Sequence, residues 1–330
     1  MDIASVGAIP GISPASSELT PADRRDHFLA RLGFRRAGHR VEPGLYALGA
    51  PTPESPVFVT ANYTLSFDAL RSALAGLDGF ILVLDTKGIN VWCAAGKGTF
   101  GTDEIVRRVE ATQLKEIVRT RKLILPQLGA PGVAAHEIKK RTGFWVEYGP
   151  VRAADLPEYL KTRQATPEMR RVRFTLRDRL ALIPVDLRQS LVPMLTAAVV
   201  LYLLGGPLSS LAGVVAVLAG NVLFPILLPW IPTHNFSTKG FLLGALLAMP
   251  LALSVFWRHP DWSLWRQSGQ ALGFLLAMPA VTAFVALNFT GSTTFTSRSG
   301  VRREIFAYVP AMAWTFGIGI VVGVASVFIR

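Results

Sequence analysis

The sequence predicts an α/β domain with a mostly parallel sheet, followed by an all-α transmembrane domain of five helices. Three observations point there. Apolar runs of strand length alternate with amphipathic helical segments between residues 56 and 163. The charged residues lie mainly before Ser190, and long apolar runs dominate after it. Several of those runs approach the roughly 20 residues that a helix needs to cross a hydrocarbon core of about 30 Å.

The elements follow in order. Residues 1–20, rich in Ser, Pro, Gly and Ala, read as a disordered leader. Residues 21–163 form the α/β domain, which opens on a helix with Thr20 as cap and Pro21 at its first position. "PVFVTAN" (56–62) is a β run, "SFDALRSALAGL" (66–77) an amphipathic helix, and "GFILVLDT" (79–86) a strand apolar on both faces, as in the middle of a parallel sheet. A helix is expected over 102–121, with Thr102 as cap and acids in its first turn. Then come a strand at 122–127, a helix at 131–143 ending on Gly143, a strand at 144–149 and a helix at 154–163. Ligands of such sheets sit beyond the carboxyl ends of the strands. The loops there are "TANYTLS", "DTKGINVWCAAGKGTFGT", "LPQLGAPGV" and "YGPV". The third carries no charge and suits a flat apolar ligand lying close to backbone.

A basic linker, 164–189, leads to the membrane domain, 190–330, with spans at about 190–204, 208–228, 241–257, 271–289 and 307–328. The prolines at 225, 250, 279 and 310 are tolerated in membrane helices. Arg170, Arg171, Arg173, Arg177, Arg179 and Arg188 precede the first span, and Arg298, Arg302 and Arg303 follow the fourth. This bias predicts an inner-membrane, multi-pass protein with its N-terminal domain in the cytoplasm. Residues 1–20 lack the basic start and apolar core of a cleavable signal peptide. The net charge of +12 is explained by arginines meeting anionic lipid at about 1 kcal/mol each, and no aromatic-basic motif suggests nucleic acid.

Cys93 is the single cysteine among 330 residues, so it forms no internal disulfide. "GK" at 96–97 does not make a phosphate loop, because Val91 stands where that motif needs glycine and Gly98 where it needs Ser or Thr. Of the five histidines only His136 lies near the loops, and it reads more readily as a solvated helix residue than as a base for Cys93. One cysteine builds neither a zinc site nor an iron–sulfur cluster. A buried thiol acting as a small hydrophobe is the plainest reading of Cys93. Against it stand the Gly-rich loop and the small residues that follow. A helical turn beginning at "CAAGKG" would stabilise a thiolate. A single thiolate ligand suits a corrinoid, whose macrocycle brings four nitrogens and leaves the axial positions free. Thr60 and Asn62 end a strand at the ligand edge, Trp92 suits a flat ring, and Lys97 reads equally as a solvated lysine.

At "NVWCAAGK" the sequence resembles the corrinoid protein of the bacterial and archaeal mercury-methylation pair, whose cap-helix signature Asn90 through Lys97 match without departure. The likeness extends over "GLYALG", "PVFVTANYTLSFDALR", "LILPQLGAPGVAAHEIKKRTGFWVEYGPVRA" and the membrane domain. The soluble part is also similar to the corrinoid domain of the corrinoid iron–sulfur protein of the acetyl-CoA pathway, without that relative's cluster domain. The resemblance implies a Rossmann-like, flavodoxin-like corrinoid-binding domain holding a base-off cobalamin, with Cys93 as lower axial ligand to cobalt. The cofactor-binding residues it marks are Thr60, Asn62, Asn90, Val91, Trp92, Cys93, Ala94, Ala95, Gly96, Lys97, Gln127, Gly129, Ala130 and Gly132.

The implied reaction is a methyltransferase's. Co(I) takes a methyl group from a methyltetrahydrofolate-type donor to give methyl-Co(III), and the methyl leaves toward Hg(II) as a carbanion equivalent, giving methylmercury. The implied partner is a ferredoxin-like protein with two [4Fe-4S] clusters, since this chain supplies no cluster ligands. Two alternatives stay open: a membrane-bound corrinoid methyl carrier with another acceptor, and a transporter with a metal-sensing cytoplasmic domain.

Overall fold

A computed structural model describes residues 11–34, 38–293 and 298–328. The chain divides into two units, Met1–Arg173 and Phe174–Arg330.

The first unit runs β1 (Ile12–Ala15), α1 (Pro21–Arg31), β2 (Gly44–Leu48), β3 (Val57–Ala61), α2 (Thr64–Ala73), β4 (Gly79–Leu84), α3 (Val91–Lys97), α4 (Thr102–Ala111), α5 (Leu114–Ile117) and β5 (Lys122–Leu125). After a 3₁₀ turn (Gln127–Gly132) come α6 (Ala135–Thr142), β6 (Trp145–Tyr148), α7 (Leu156–Thr162) and α8 (Pro167–Arg170). The six strands form one sheet in the order β1-β2-β4-β3-β5-β6. β4, β3, β5 and β6 are mutually parallel, whereas β2 pairs antiparallel with β4 and carries β1 alongside it. The sheet is therefore mixed, with a parallel centre.

Its apolar residues alternate between two cores. Val57, Val59, Leu82, Leu84, Leu123 and Leu125 pack under α3, α4 and α6, while Phe58, Ile81, Val83 and Ile124 pack under α2 and α7. β3 and β4 are buried along their whole length, as their unbroken apolar character requires.

Three expectations need correction, the first being the cap of α4, which is Gly101 and not Thr102. The disordered leader expected over 1–20 is ordered from residue 11, because Ile12–Ala15 adds an edge strand to β2. Residues 1–10 lie outside the described residues. The helix expected over 102–121 ends at Ala111, and Gln113 takes a left-handed φ of 50°. That break turns Leu114 and Val118 into the core, where they are 0% and 1% exposed.

The second unit is helical: α9 (Leu176–Leu180), α10 (Ile183–Leu218), a π turn (Ala219–Leu223), α11 (Phe224–Leu227), α12 (Phe236–Arg258), α13 (Leu264–Asn288) and α14 (Arg298–Val327). Among the described residues four stretches are long and apolar enough to cross a membrane: Leu176–Leu227, Phe236–Arg258, Leu264–Asn288 and Ser299–Val327. The first of these is not straight. Gly206 has φ 74° and ψ −172°, and the Arg179 guanidinium donates to the Ile226 carbonyl at 3.3 Å. A continuous helix would hold those two residues about 70 Å apart. The chain therefore folds back at Gly205-Gly206-Pro207, where glycine permits the positive φ and proline starts the return limb. Glycines also let the helices approach. A Cβ on Gly240 would lie 2.5 Å from the Ala283 backbone, and one on Gly244 2.6 Å from that of Pro279. Large apolar side chains such as Leu203, Trp314 and Val321 are left exposed, a surface suited to lipid rather than water.

Candidate functional site

The strand order makes the site. From β3 the chain crosses to β4 on one side through α2, then returns to β5 on the other side through α3–α5. The connections after β3 and β5 thus leave in opposite directions, opening a crevice at the carboxyl end of the sheet. A cavity of about 280 Å³ lies there. Its floor is Phe58, Thr60, Ile124 and Leu125, its sides Leu70 and Leu156, and its rim Asn90, Val91 and Trp92. Among the described residues no charged one lines it.

The rim is the first turn of α3. Asn90 caps this helix, its side-chain oxygen accepting from the Cys93 amide at 2.9 Å, and Gly98 ends it with φ 81°. Val91, Ala94 and Ala95 face inward and are buried; Trp92 and Cys93 are half-buried and Gly96 and Lys97 exposed. The helix starts at Val91, two residues earlier than a turn begun at Cys93 would. The thiol is then a lone soft donor on the open side of a well-capped helix, beside an uncharged cavity. Among the described residues no group of three or more His, Cys, Asp and Glu is placed to hold a metal ion.

Asn62 plays a different part. It is 3% exposed, and its Oδ1 accepts from the amides of Thr86 and Gly88, each at 3.0 Å, while its Nδ2 donates to Asp85 at 3.3 Å. The loop it holds contains consecutive left-handed residues, Lys87 (φ 59°) and Gly88 (φ 71°), the first of which costs about 1 kcal/mol. Glu104 pins the same loop, accepting from the Asp85 amide at 2.8 Å. Asn62 therefore positions the loop that presents α3, and it does not line the cavity.

The 3₁₀ turn supports α3 from behind. A Cβ on Gly132 would lie 2.3 Å from the Phe100 carbonyl and 3.1 Å from Ala95, and one on Gly129 2.5 Å from the Phe100 ring. Gln127 accepts from Arg170 at 2.9 Å. Of the residues expected to touch a cofactor, the structure thus brings Thr60, Asn90, Val91 and Trp92 to the cavity. It puts Cys93, Gly96 and Lys97 on the outer side of α3, Ala94 and Ala95 inside it, and Gln127, Gly129, Ala130 and Gly132 on the turn packed against it. His136 is exposed, 3.6 Å from Glu137. The sequence reading missed Ser66, Pro126, Gly149, Pro150 and Val151, which also line the cavity. The signal was present, since three of them stand in "YGPV" and one in "LPQLGAPGV", loops at the carboxyl ends of strands.

Residues 35–160, less than half of the chain, match the family described as CO dehydrogenase/acetyl-CoA synthase delta subunit. The chain is similar to the acetyl-CoA decarbonylase/synthase complex subunit gamma of Archaeoglobus fulgidus, 35% identical over 37% of this chain and 26% of that one. The corresponding subunit of Methanopyrus kandleri is 34% identical over 38% of this chain and 27% of its own. The corrinoid/iron-sulfur protein large subunit of Moorella thermoacetica is 27% identical over 46% of this chain and 36% of its own. The chain thus spans about a quarter to a third of the length of these relatives, and the family match lies within the first unit.

Proposed function

We propose that the first unit binds a base-off corrinoid and serves as a methyltransferase, with the Cys93 thiolate as lower axial ligand to its cobalt. The observation that carries this reading is the half-buried Cys93 on the capped helix whose neighbouring Asn90, Val91 and Trp92 rim a cavity at the topological switch point. The residues fit the group. One soft donor completes a macrocycle that brings its own four nitrogens, and about 280 Å³ accommodates a flat detached base, not the whole macrocycle. A relative named for its corrinoid supports the same reading.

In this arrangement Trp92, Thr60 and Leu70 would line the space for the base, and Asn62 and Glu104 hold the loop that aims α3. Gly129 and Gly132 let the 3₁₀ turn back the helix without displacing it. When bound, the corrinoid supplies a carrier that exchanges a methyl group between a donor and an acceptor. The Cys93 sulfur would hold the group, and its electron density would favour departure of a methyl as a carbanion equivalent. The match of Asn90 through Lys97 to the mercury-methylation signature supports Hg(II) as acceptor, a methyltetrahydrofolate-type donor, and reduction by a ferredoxin-like protein with two [4Fe-4S] clusters.

The second unit, in the same reading, crosses the inner membrane five times, because the fold-back at Gly206 makes two spans of the first apolar stretch. The basic residues before it keep the first unit in the cytoplasm. The test is transfer of labelled methyl from the folate-type donor to Hg(II) by the full chain with reduced partner. Wild type is expected to form methylmercury and Cys93→Ala none. Full activity in Cys93→Ala would overturn the ligand assignment, and a corrinoid-loaded protein inert only toward Hg(II) would point to another acceptor.

A further inference from the structure

Two cations are buried where α9 and α12 meet the end of α11. Arg179 is 4% exposed; its Nη1 donates to the Ile226 carbonyl at 3.3 Å, its Nε has no partner, and its guanidinium lies 5.8 Å from the Trp230 ring. Lys239 is 8% exposed and donates to the carbonyls of Leu228 and Ile231. Both therefore converge on the last turn of one helical limb, where the dipole favours positive charge by about 0.3–1 kcal/mol. That is less than the several kcal/mol that burying each cation costs. Among the described residues neither forms an ion pair with a carboxylate. The nearby acids are turned elsewhere: Asp178 caps Thr175 at 2.8 Å, and Glu304 accepts from the Ser237 amide at 2.6 Å.

The surroundings are those of a membrane interface. Trp230 is 67% exposed, an aromatic at the end of an apolar limb. Leu176 and Leu180 around α9 and Leu223 in the π turn are exposed as well, offering apolar surface to acyl chains. We propose that Arg179 and Lys239 form a binding site for the headgroup phosphate of an anionic phospholipid, with Trp230 at its rim and the acyl chains along Leu180 and Leu223. Basic pockets between membrane helices take anionic headgroups in this way. The phosphate completes the hydrogen bonding of the unpartnered Arg179 Nε and offsets the buried charge. The inference rests on the second unit lying in a membrane.

The test uses the full chain in nanodiscs of phosphatidylcholine, with and without phosphatidylglycerol. Phosphatidylglycerol is expected to raise the melting temperature of wild type by several degrees and to leave Arg179→Gln and Lys239→Met unmoved. Inorganic phosphate at millimolar concentration is expected to leave wild type unmoved, and an equal rise with phosphate would replace the lipid by a free anion. Should the variants not fold, native mass spectrometry of wild type decides: preferential retention of phosphatidylglycerol over phosphatidylcholine supports the site, and equal retention overturns it. Flotation with liposomes separates the two readings. Failure to float contradicts membrane insertion itself, whereas insertion without lipid preference contradicts only the site.

Discussion

At Asn62 a single amide holds three backbone or carboxylate groups of the loop between β4 and α3, including the strained Lys87–Gly88 pair. Replacing it by Leu leaves the partly buried Gly88 amide without its acceptor and the Thr86 amide with only the Leu84 carbonyl, at about 1–3 kcal/mol for each group left unsatisfied. Asn62→Leu is expected to lower stability by about 3 kcal/mol in urea unfolding and to speed hydrogen exchange at residues 86–90. Exchange rates there equal to wild type would remove Asn62 from its positioning role. Gly132→Ala acts from the other side of α3. With only 2.3 Å between its new Cβ and the Phe100 carbonyl, it must push the 3₁₀ turn away from the helix, at about 1–3 kcal/mol. Corrinoid affinity is expected to fall with it, as measured by spectral titration. Cys93, Asn90 and Trp92 were legible as site residues because they sit in one continuous signature. Asn62 was legible as important but not in its role, since its partners lie 23–26 residues further on. Nothing local shows that a strand-end amide faces a later loop.

Among the elements, β1 and α1 are fastened by a charged clasp on α2. Arg71 donates to Asp68 at 2.6 Å and Asp23 at 2.8 Å, and to the carbonyls of Ser16 and Glu18, both at 2.6 Å; His27 meets Asp68 at 2.7 Å. Arg71 and Asp68 are buried, so breaking the pair costs about 3–5 kcal/mol. Arg71→Met is expected to free residues 16–25 and expose Arg24 and Arg25 to trypsin, while unchanged digestion would show that β1 holds without the clasp. Burial pushes the Asp23 carboxyl up, but the Thr20 amide and hydroxyl together with Arg71 hold it below its ordinary value of 3.8. Its contribution is therefore complete above that value and fades as the pH falls through the lowered folded value. Cleavage within residues 16–25 is expected to appear only under such acid conditions, read with an acid-tolerant protease. The parallel strands were legible from unbroken apolar runs such as 79–84. β1 was not, because "ISPA" carries a proline and no alternation, and only its place beside β2 and the clasp orders it.

For the whole molecule, the fold-back at Gly206 is what the proposed topology rests on. In the proposed five-crossing arrangement Thr233 faces the cytoplasm and Asp261 the opposite side. A single crossing by the first apolar stretch would reverse both. Single cysteines placed at these positions in the Cys93→Ala background, labelled with an impermeant maleimide from each side, are expected to follow the five-span pattern. The opposite labelling would mean that the stretch crosses once. Here "LGGPL" was readable as a break between two short apolar runs, and the paired glycines and proline supply the physical cause. The join of an α/β unit to a unit of long apolar helices was equally plain, since charge and hydropathy change together near Ser190. The central claim remains the thiol. Its most direct test is the visible absorption spectrum of the full chain reconstituted with cobalamin, wild type beside Cys93→Ala. A base-off corrinoid in both, with the cobalt bands shifted on loss of the thiol, is the expected result; identical spectra in the two proteins would contradict the assignment of Cys93 as axial ligand.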